Sequence, residues 1–353
     1  MTTIPAFAAR LLRTSGRTYA AAAAARLRQM HPEFAALVLS PAFGSPIDDM
    51  EARIQQLAAS VEFDRAALLE HSARWYKVAF AHRGVPIEYL TQGFVALQAV
   101  LGEEMPSATV PIVHRHLQRA LDAATAAPSA LACELDLAAP HGRLAANFLL
   151  AVLEGRGDDA IDDLRAALAA GAAVAELHDH VIAPVQREAG RMWLMGEIPI
   201  ADEHHSSQIV DRALWLLHER LPRPAADAPV IATMSAGGNL HDLGIRIVAQ
   251  RLQLAGYAVL NLGANMPVAD LEWTFQDRRI DLLAISATMS LHVHALAEAV
   301  ELVRRITHGR VPVLVGGVPF RVAPDLAACV GADAGAHDAE GAVRAVQQLL
   351  ARP

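Results

Sequence analysis

The chain has 353 residues, enough for two or three domains with their own cores. Hydrophobic residues make up 53% of it, yet no run of about 20 uncharged apolar residues occurs, so no membrane span is expected. A net charge of −8 argues against a general nucleic-acid binder, and two distant cysteines, Cys133 and Cys329, suggest a reducing compartment without a disulfide framework.

The first thirty residues, "MTTIPAFAARLLRTSGRTYAAAAAARLRQM", spread arginines through an Ala-rich stretch and lack the basic-then-apolar layout of a secretory signal. A cytoplasmic protein is expected. Residues 1–135 read as an all-α domain, with "DDMEARIQQLAASV", "DRAALLEHSARWYKVAFAHRG" and "IEYLTQGFVALQAVLGEEM" showing apolar spacings of three and four. Residues 1–130 hold 12 Lys/Arg against 11 Asp/Glu and show no winged helix-turn-helix pattern, so direct DNA binding is not expected. The domain reads as a sensor, dimerisation or partner-docking module. Trp75 and Tyr76, and His114 and His116, fall at helical spacing and read as core and surface.

Residues 136–221 carry four amphipathic segments with short joins, which predicts a four-helix bundle. "PRPAADAP", residues 222–229, reads as a linker. From 230 to 353 short apolar runs alternate with helical ones. "VIATMS", "AVLNLG", "LLAIS", "VPVLVGG" and "ADAGA" read as strands, with helices near 242–255, 267–279, 290–307, 321–328 and 339–351. This alternation predicts a flavodoxin-like, doubly wound parallel sheet.

Ligands bind such sheets beyond the carboxyl ends of the strands, and the unusual residues fall there. Gly237, Gly238, Asn239 and His241 come after the first strand, and "GANMP" after the second. Ser286, Ala287 and Thr288 close the third, with Gly316 and Gly317 ending the fourth. The first turn lacks the G-x-G-x-x-G of a dinucleotide site, and no phosphate-loop Gly-Lys-Ser/Thr occurs. Ser286 stands where a phospho-receiver needs a carboxylate. A lone imidazole beside a glycine-floored groove suits a ligand that brings its own metal with one axial position open and a tail needing a slot.

Asn239-Leu240-His241-Asp242-Leu243-Gly244, then Ser286-Ala287-Thr288, then Gly316-Gly317 resembles the D-x-H-x-x-G, S-x-L/T and G-G signature of cobalamin-binding domains. The resemblance implies that His241 is the lower cobalt ligand, replacing the cofactor's dimethylbenzimidazole. It places Asn239, Asp242 and Gly244 in the ligand loop, and Ser286, Thr288, Gly316 and Gly317 along the tail slot. The family usually has a carboxylate where this chain has Asn239, which implies a weaker cobalt–nitrogen bond.

Upstream, Trp193 is followed after nine residues by Glu203-His204, within "MWLMGEIPIADEHHSSQ". On the residues alone a Trp at a helix end and a Glu in a first turn are ordinary structural choices. Beside the downstream domain, the W-x9-E-H pattern resembles the adenosylcobalamin-dependent photoreceptors of the carotenoid-repressor type. That resemblance implies an upper pocket of Trp193, Glu203 and His204 and a cofactor of adenosylcobalamin, with methylcobalamin or hydroxocobalamin as alternatives. Those repressors carry a histidine directly after the tryptophan, where this chain has Leu194, and His205 is the nearest substitute. The expected function is a light sensor that signals through a protein partner or homo-oligomer without turnover. The alternative is a corrinoid methyl carrier of a methyltransferase system; a radical mutase lacks its substrate barrel here, and a scaffold with a vestigial pocket is a third class. His178, His180, His292 and His294 are expected to be solvated or capping.

Overall fold

The computed structural model describes residues 3–351. The chain divides into two compact units. One contains the helices up to Ser129 together with Ala287–Val300 and Val318–Ala332; the other contains Ala130–Ser286, Glu301–Gly317 and the chain from Asp333 onward.

The first unit is built on α1 (Ile4–Met30), α2 (Pro46–Glu62), α3 (Ala66–Ala81), α4 (Ile87–Glu104) and α5 (Val110–Ala126). Ser45 and Asp48 start α2 with a reciprocal capping box, and Pro46 supplies the fixed φ of a first turn. Arg53 lies fully buried, paired with Asp49 at 2.5 Å and ringed by Tyr76, Phe80, Tyr89 and Phe94 at 5.3–5.6 Å. A Cβ at Gly93 would fall 2.5 Å from the Arg53 guanidinium, so glycine there admits the buried cation. His116 is also buried, between Ser60 (2.7 Å) and Asp64 (3.0 Å), rather than on the surface. Glu62 takes Arg13 at 2.8 Å and His294 at 3.0 Å, and Arg65 pairs with Asp325 at 2.8 Å. His294 Nδ1 lies against the Glu62 carboxylate and is not a freely solvated ring, whereas His292 is buried and accepts the Met289 N–H at 3.4 Å, the capping role expected of it.

The second unit begins with the bundle: α6 (Gly142–Leu153), α7 (Gly157–Ala169), a third helix and α10 (Ile200–His218). The third helix is interrupted. α8 (Val174–Leu177) passes through a π turn at His178–Ile182 into α9 (Ala183–Leu194). Phe148, Leu164, Leu177, Val181, Val185, Val210 and Leu214 form its core, and Ile247 joins that core from outside the bundle.

The sheet consists of β1 (Val230–Ser235), β2 (Ala258–Gly263), β3 (Leu282–Ser286), β4 (Val313–Gly316) and β5 (Ala334–Ala336), all parallel, in the order β2-β1-β3-β4-β5. α11 (Leu243–Leu254), α12 (Leu271–Asp277), α13 (Val293–Ile306) and α16 (Ala339–Leu350) connect or follow the strands. The helix expected over 321–328 is instead two short ones, α14 (Val318–Val322) and α15 (Leu326–Cys329). Pro324 lies between them and can neither donate to nor fit inside a continuous helix. Among the described residues no helix is long and apolar enough to cross a membrane.

Bundle and sheet are joined by polar bonds as well as by Ile247. His178 is fully buried, not solvated, with Nε2 at 2.8 Å from Gln250 Oε1. Gln250 Nε2 donates to the Leu214 carbonyl at 2.8 Å, so its Oε1 must accept from His178 and the ring carries its proton on Nε2. Arg251 pairs with Asp179 at 2.6 Å, and Arg246 pairs with Asp211.

Burial pushes the His178 pKa down to about 4, against the raising effect of its bond to Gln250. The neutral ring is thus favoured in the folded state, and the unfolded chain takes up the proton first. The corresponding stability is complete above about pH 6.5 and is lost as the pH falls toward the folded value, roughly 3 kcal/mol in all. Urea unfolding at pH 7 and pH 4.5 should show this loss in the wild type and not in His178→Gln. Identical pH dependence of the two proteins would rule out this ring as the titrating group.

Candidate cobalamin site

The carboxyl edge of the sheet ends in a row of small residues. In the register, Ser235 of β1 lies opposite Ser286 of β3, Ser286 opposite Gly316 of β4, and Gly316 opposite Ala336 of β5. A Cβ at Gly316 would come within 3.1 Å of the Ala336 carbonyl, and Gly317 has φ +104, which L side chains rarely adopt. The row is therefore low because the backbone demands it.

The loop after β1 rises from this edge. Ala236 N–H donates to the Ser286 carbonyl at 3.0 Å, and Asn239 N–H closes a turn onto Ala236 at 2.9 Å. Asn239 is completely buried although it sits in a loop. Its amide nitrogen donates to the Ser286 carbonyl at 3.4 Å, which leaves Oδ1 facing His241. That oxygen accepts the His241 backbone N–H at 3.2 Å and lies 3.4 Å from Nδ1 of the ring. Because Oδ1 can only accept, Nδ1 bears the proton and Nε2 keeps a free lone pair. Ser235 Oγ donates to the His241 carbonyl at 3.0 Å. His241 itself is exposed, as is Leu240 beside it.

Other residues of the loop are less constrained. Asp242 precedes α11 and makes no side-chain cap bond. An added Cβ at Gly244 would meet nothing within 4 Å, so no protein atom requires glycine there. Thr288 is partly exposed two residues beyond Ser286. Ser290 Oγ, in the same segment, is buried with no protein partner. An outward Nε2, a floor of small residues and open space above Gly244 fit a planar metal-bearing ligand with a tail. Among the described residues no cluster of three or more His, Cys, Asp or Glu could hold a bare metal ion.

In the bundle, Glu203 lies in the first turn of α10 and is four-fifths buried at its side chain. Gln186 of α9 donates to Glu203 at 3.3 Å and to Ser207 at 2.9 Å, and Ser207 donates to Glu203 at 3.1 Å. Trp193 stands seven residues after Gln186, on the same face of α9 and about 10 Å further along it. His204 follows Glu203 in the same turn, with its side chain 72% exposed and its Nε2 3.8 Å from the Glu203 carboxylate. Leu194, where the photoreceptors carry histidine, is buried, and His205 is exposed.

Gln186, Ser207 and Ser235 belong to these two arrangements, and the sequence does not single them out. Spacing gives a clue for Ser207, one helical turn after Glu203. Nothing local flags Gln186, whose partners come from another helix.

Residues 229–347 match a family model described as a B12 binding domain, and residues 144–218 match a second model of the same description. Dimethylamine corrinoid protein 3 of Methanosarcina mazei is 30% identical over 170 residues, covering 47% of this chain and 97% of the relative. The HTH-type transcriptional repressor CarH of Myxococcus xanthus is 26% identical over 184 residues, covering 52% of this chain and 61% of the repressor. The solved structure of the Methanosarcina barkeri monomethylamine corrinoid protein superposes with a TM-score of 0.52 at 20% identity, covering 60% of this chain and 100% of that one, a likeness of fold. Bundle, sheet and histidine loop thus define a cobalamin-binding protein. The chain belongs to the family of corrinoid proteins with a B12 binding domain.

Asparagine at 239 is matched to its surroundings. An aspartate would set a second acceptor against the Ser286 carbonyl in a buried place. Asn239→Asp should therefore destabilise the fold by about 1–3 kcal/mol, read as a lowered urea midpoint. An unchanged midpoint would mean that the bond to Ser286 contributes nothing.

Proposed function

We propose that the chain is a corrinoid carrier, holding cobalamin on His241 over the row Ser235, Ser286 and Gly316 for a methyl-transfer system. The observation that carries the cobalamin site is the Asn239–His241 pair, which turns an unprotonated Nε2 outward from the sheet edge. The similarity to a dimethylamine corrinoid protein, nearly all of which this chain spans, supports the carrier role. A bound cobalamin supplies a cobalt–carbon bond at its upper face, which can be exchanged with a methyl donor and acceptor or broken by light.

The protein's part is to bind and orient. Asn239 holds the His241 ring in one tautomer, and an amide oxygen makes the imidazole less basic than a carboxylate would. Ser286, Gly316 and Gly317 leave room for the displaced tail, with Thr288, Asp242 and Gly244 bordering it. Helices α1–α5 add a surface on which a methyltransferase or another protein can dock.

A second reading is favoured by one arrangement. Gln186, Ser207 and Glu203 form a preorganised polar group on the face that also carries Trp193. Such a group suits a hydroxyl-bearing adenosyl ligand and has nothing to bond on a methyl. On this reading adenosylcobalamin is the resident form, and light releases the contacts that hold α9 and α10 to the upper group. Only such differential contacts can shift a conformation.

One experiment separates the two. Dissociation constants are measured in the dark for adenosylcobalamin and methylcobalamin, with wild type, His241→Ala and Glu203→Gln. The carrier reading expects similar affinities for both forms and little effect of Glu203→Gln on either. The sensor reading expects Glu203→Gln to weaken adenosylcobalamin about tenfold while sparing methylcobalamin, as for a lost bond to a charged acceptor. A green-light shift in gel-filtration elution should accompany it. Failure of wild type to bind either form would overturn both.

A further inference from the structure

We infer that Asn265, in the loop after β2, is a positioning residue for the cobalt ligand His241; the inference rests on that ligand role. Three observations converge on it. The first is a bulge. Thr233 and Met234 of β1 pair with Asn261 and Gly263, skipping Leu262, so β2 ends with one residue too many. Asn261 Oδ1 secures the bulge by accepting from Gly263 N–H at 3.1 Å and from Thr233 Oγ at 3.3 Å. Bulges sharpen the local twist and re-aim the chain beyond them, here toward the exit of β1.

The second is conformation. Asn265 has φ +51, a left-handed value that Asn tolerates better than most residues with a Cβ. The third is the set of bonds that this conformation makes. Asn265 Oδ1 accepts the Gly238 N–H at 2.7 Å, while its own N–H donates to the Asn239 carbonyl at 3.0 Å. Met266 N–H adds a bond to the Ser235 carbonyl at 3.4 Å. Asn265 therefore grips the backbone at residue 239 and the one before it. Asn239 is the residue whose Oδ1 accepts from both the His241 backbone and its ring.

Without that grip, Gly237 and Gly238 would leave the loop free to turn. Two adjacent glycines impose little backbone restraint of their own. The cost of ordering them is met from the neighbouring loop, at a distance from the cobalt position. Asn265 is exposed and touches neither the ring nor, by this assignment, the metal. It acts through Asn239.

The variants separate the two parts of its role. Asn265→Gly keeps the left-handed backbone and removes the side-chain bond, Asn265→Ala removes the bond and strains the backbone, and Asn265→Asp keeps an acceptor at the same place. The full chain, labelled with ¹⁵N-histidine, is loaded with unlabelled cob(II)alamin. The two-line ¹⁵N splitting in its electron paramagnetic resonance spectrum reports histidine on cobalt, distinct from the three-line ¹⁴N splitting of the cofactor's own base. Wild type should show this splitting and His241→Ala should lose it. Against that reference, Asn265→Gly should raise the His-off to His-on ratio about three- to tenfold, the scale of one lost hydrogen bond. Asn265→Ala should raise it at least as much, and Asn265→Asp should restore the wild-type spectrum. Wild-type ratios in all three variants would overturn the inference while leaving His241 as ligand. Absence of the splitting in wild type would instead overturn the reading of His241 itself. Circular dichroism of each variant confirms that the sheet is intact.

Discussion

The proposed cobalt-ligand loop depends on one buried amide. Asn239 is completely inaccessible, yet it sits in the loop that leaves β1 and precedes an exposed imidazole. A buried amide must find partners for its oxygen and its nitrogen, and here each partner has a consequence. The nitrogen bonds the Ser286 carbonyl and ties the loop to β3. The oxygen, having no proton to give, imposes the Nδ1–H tautomer on His241. The satisfaction of one side chain thus fixes both where the ring stands and which of its nitrogens faces outward. A carboxylate would serve the ring more strongly and the strand less well.

The bundle is tied to the sheet by an equally economical device. A π turn makes room for His178, whose ring is buried against Gln250 of α11, and Gln250 reaches on to the Leu214 carbonyl of α10. Ile247, one turn before Gln250, enters the bundle core itself. Three helices therefore meet at one side chain of α11, the helix that begins just beyond the His241 loop. Glu203 and Trp193 belong to the same bundle, so on the proposed reading the His241 loop and the residues of the upper pocket stand on one continuous core.

Much of this was legible in the sequence, and the exceptions have physical causes. The central strands β1, β3 and β4 fell where their apolar runs stood, because a parallel sheet buries both faces of its inner strands and leaves continuous hydrophobic stretches. The His241 loop stood out because a polar, glycine-rich segment came directly after a buried strand. The π turn did not, since Leu177, Val181, Ile182 and Val185 still keep helical spacing while the ring between them turns inward. His178 and His116 read as surface residues, because burial of an imidazole depends on a partner far along the chain: Gln250 for His178, Ser60 for His116. Glu62 and His294 are separated by more than two hundred residues, so no local pattern could pair them. Asn265 stands in the GANMP segment that the sequence marks after β2, but its bonds to Gly238 and Asn239 lie on the backbone of another loop, so no local pattern shows what it holds.

The two proposed roles place the same demand on the sheet edge and different demands on the bundle. At the sheet edge the arrangement is built from backbone bonds, small residues and one amide. In the bundle the polar group consists of longer side chains, Gln186 and Glu203. In this chain Glu203 already has both its hydrogen-bonding partners in place, Gln186 and Ser207, whereas His204 lies in solvent. The Glu203 carboxylate is thus preorganised by its own helix and by α9, and on the proposed readings its need for a bonded neighbour is what distinguishes the two chemistries.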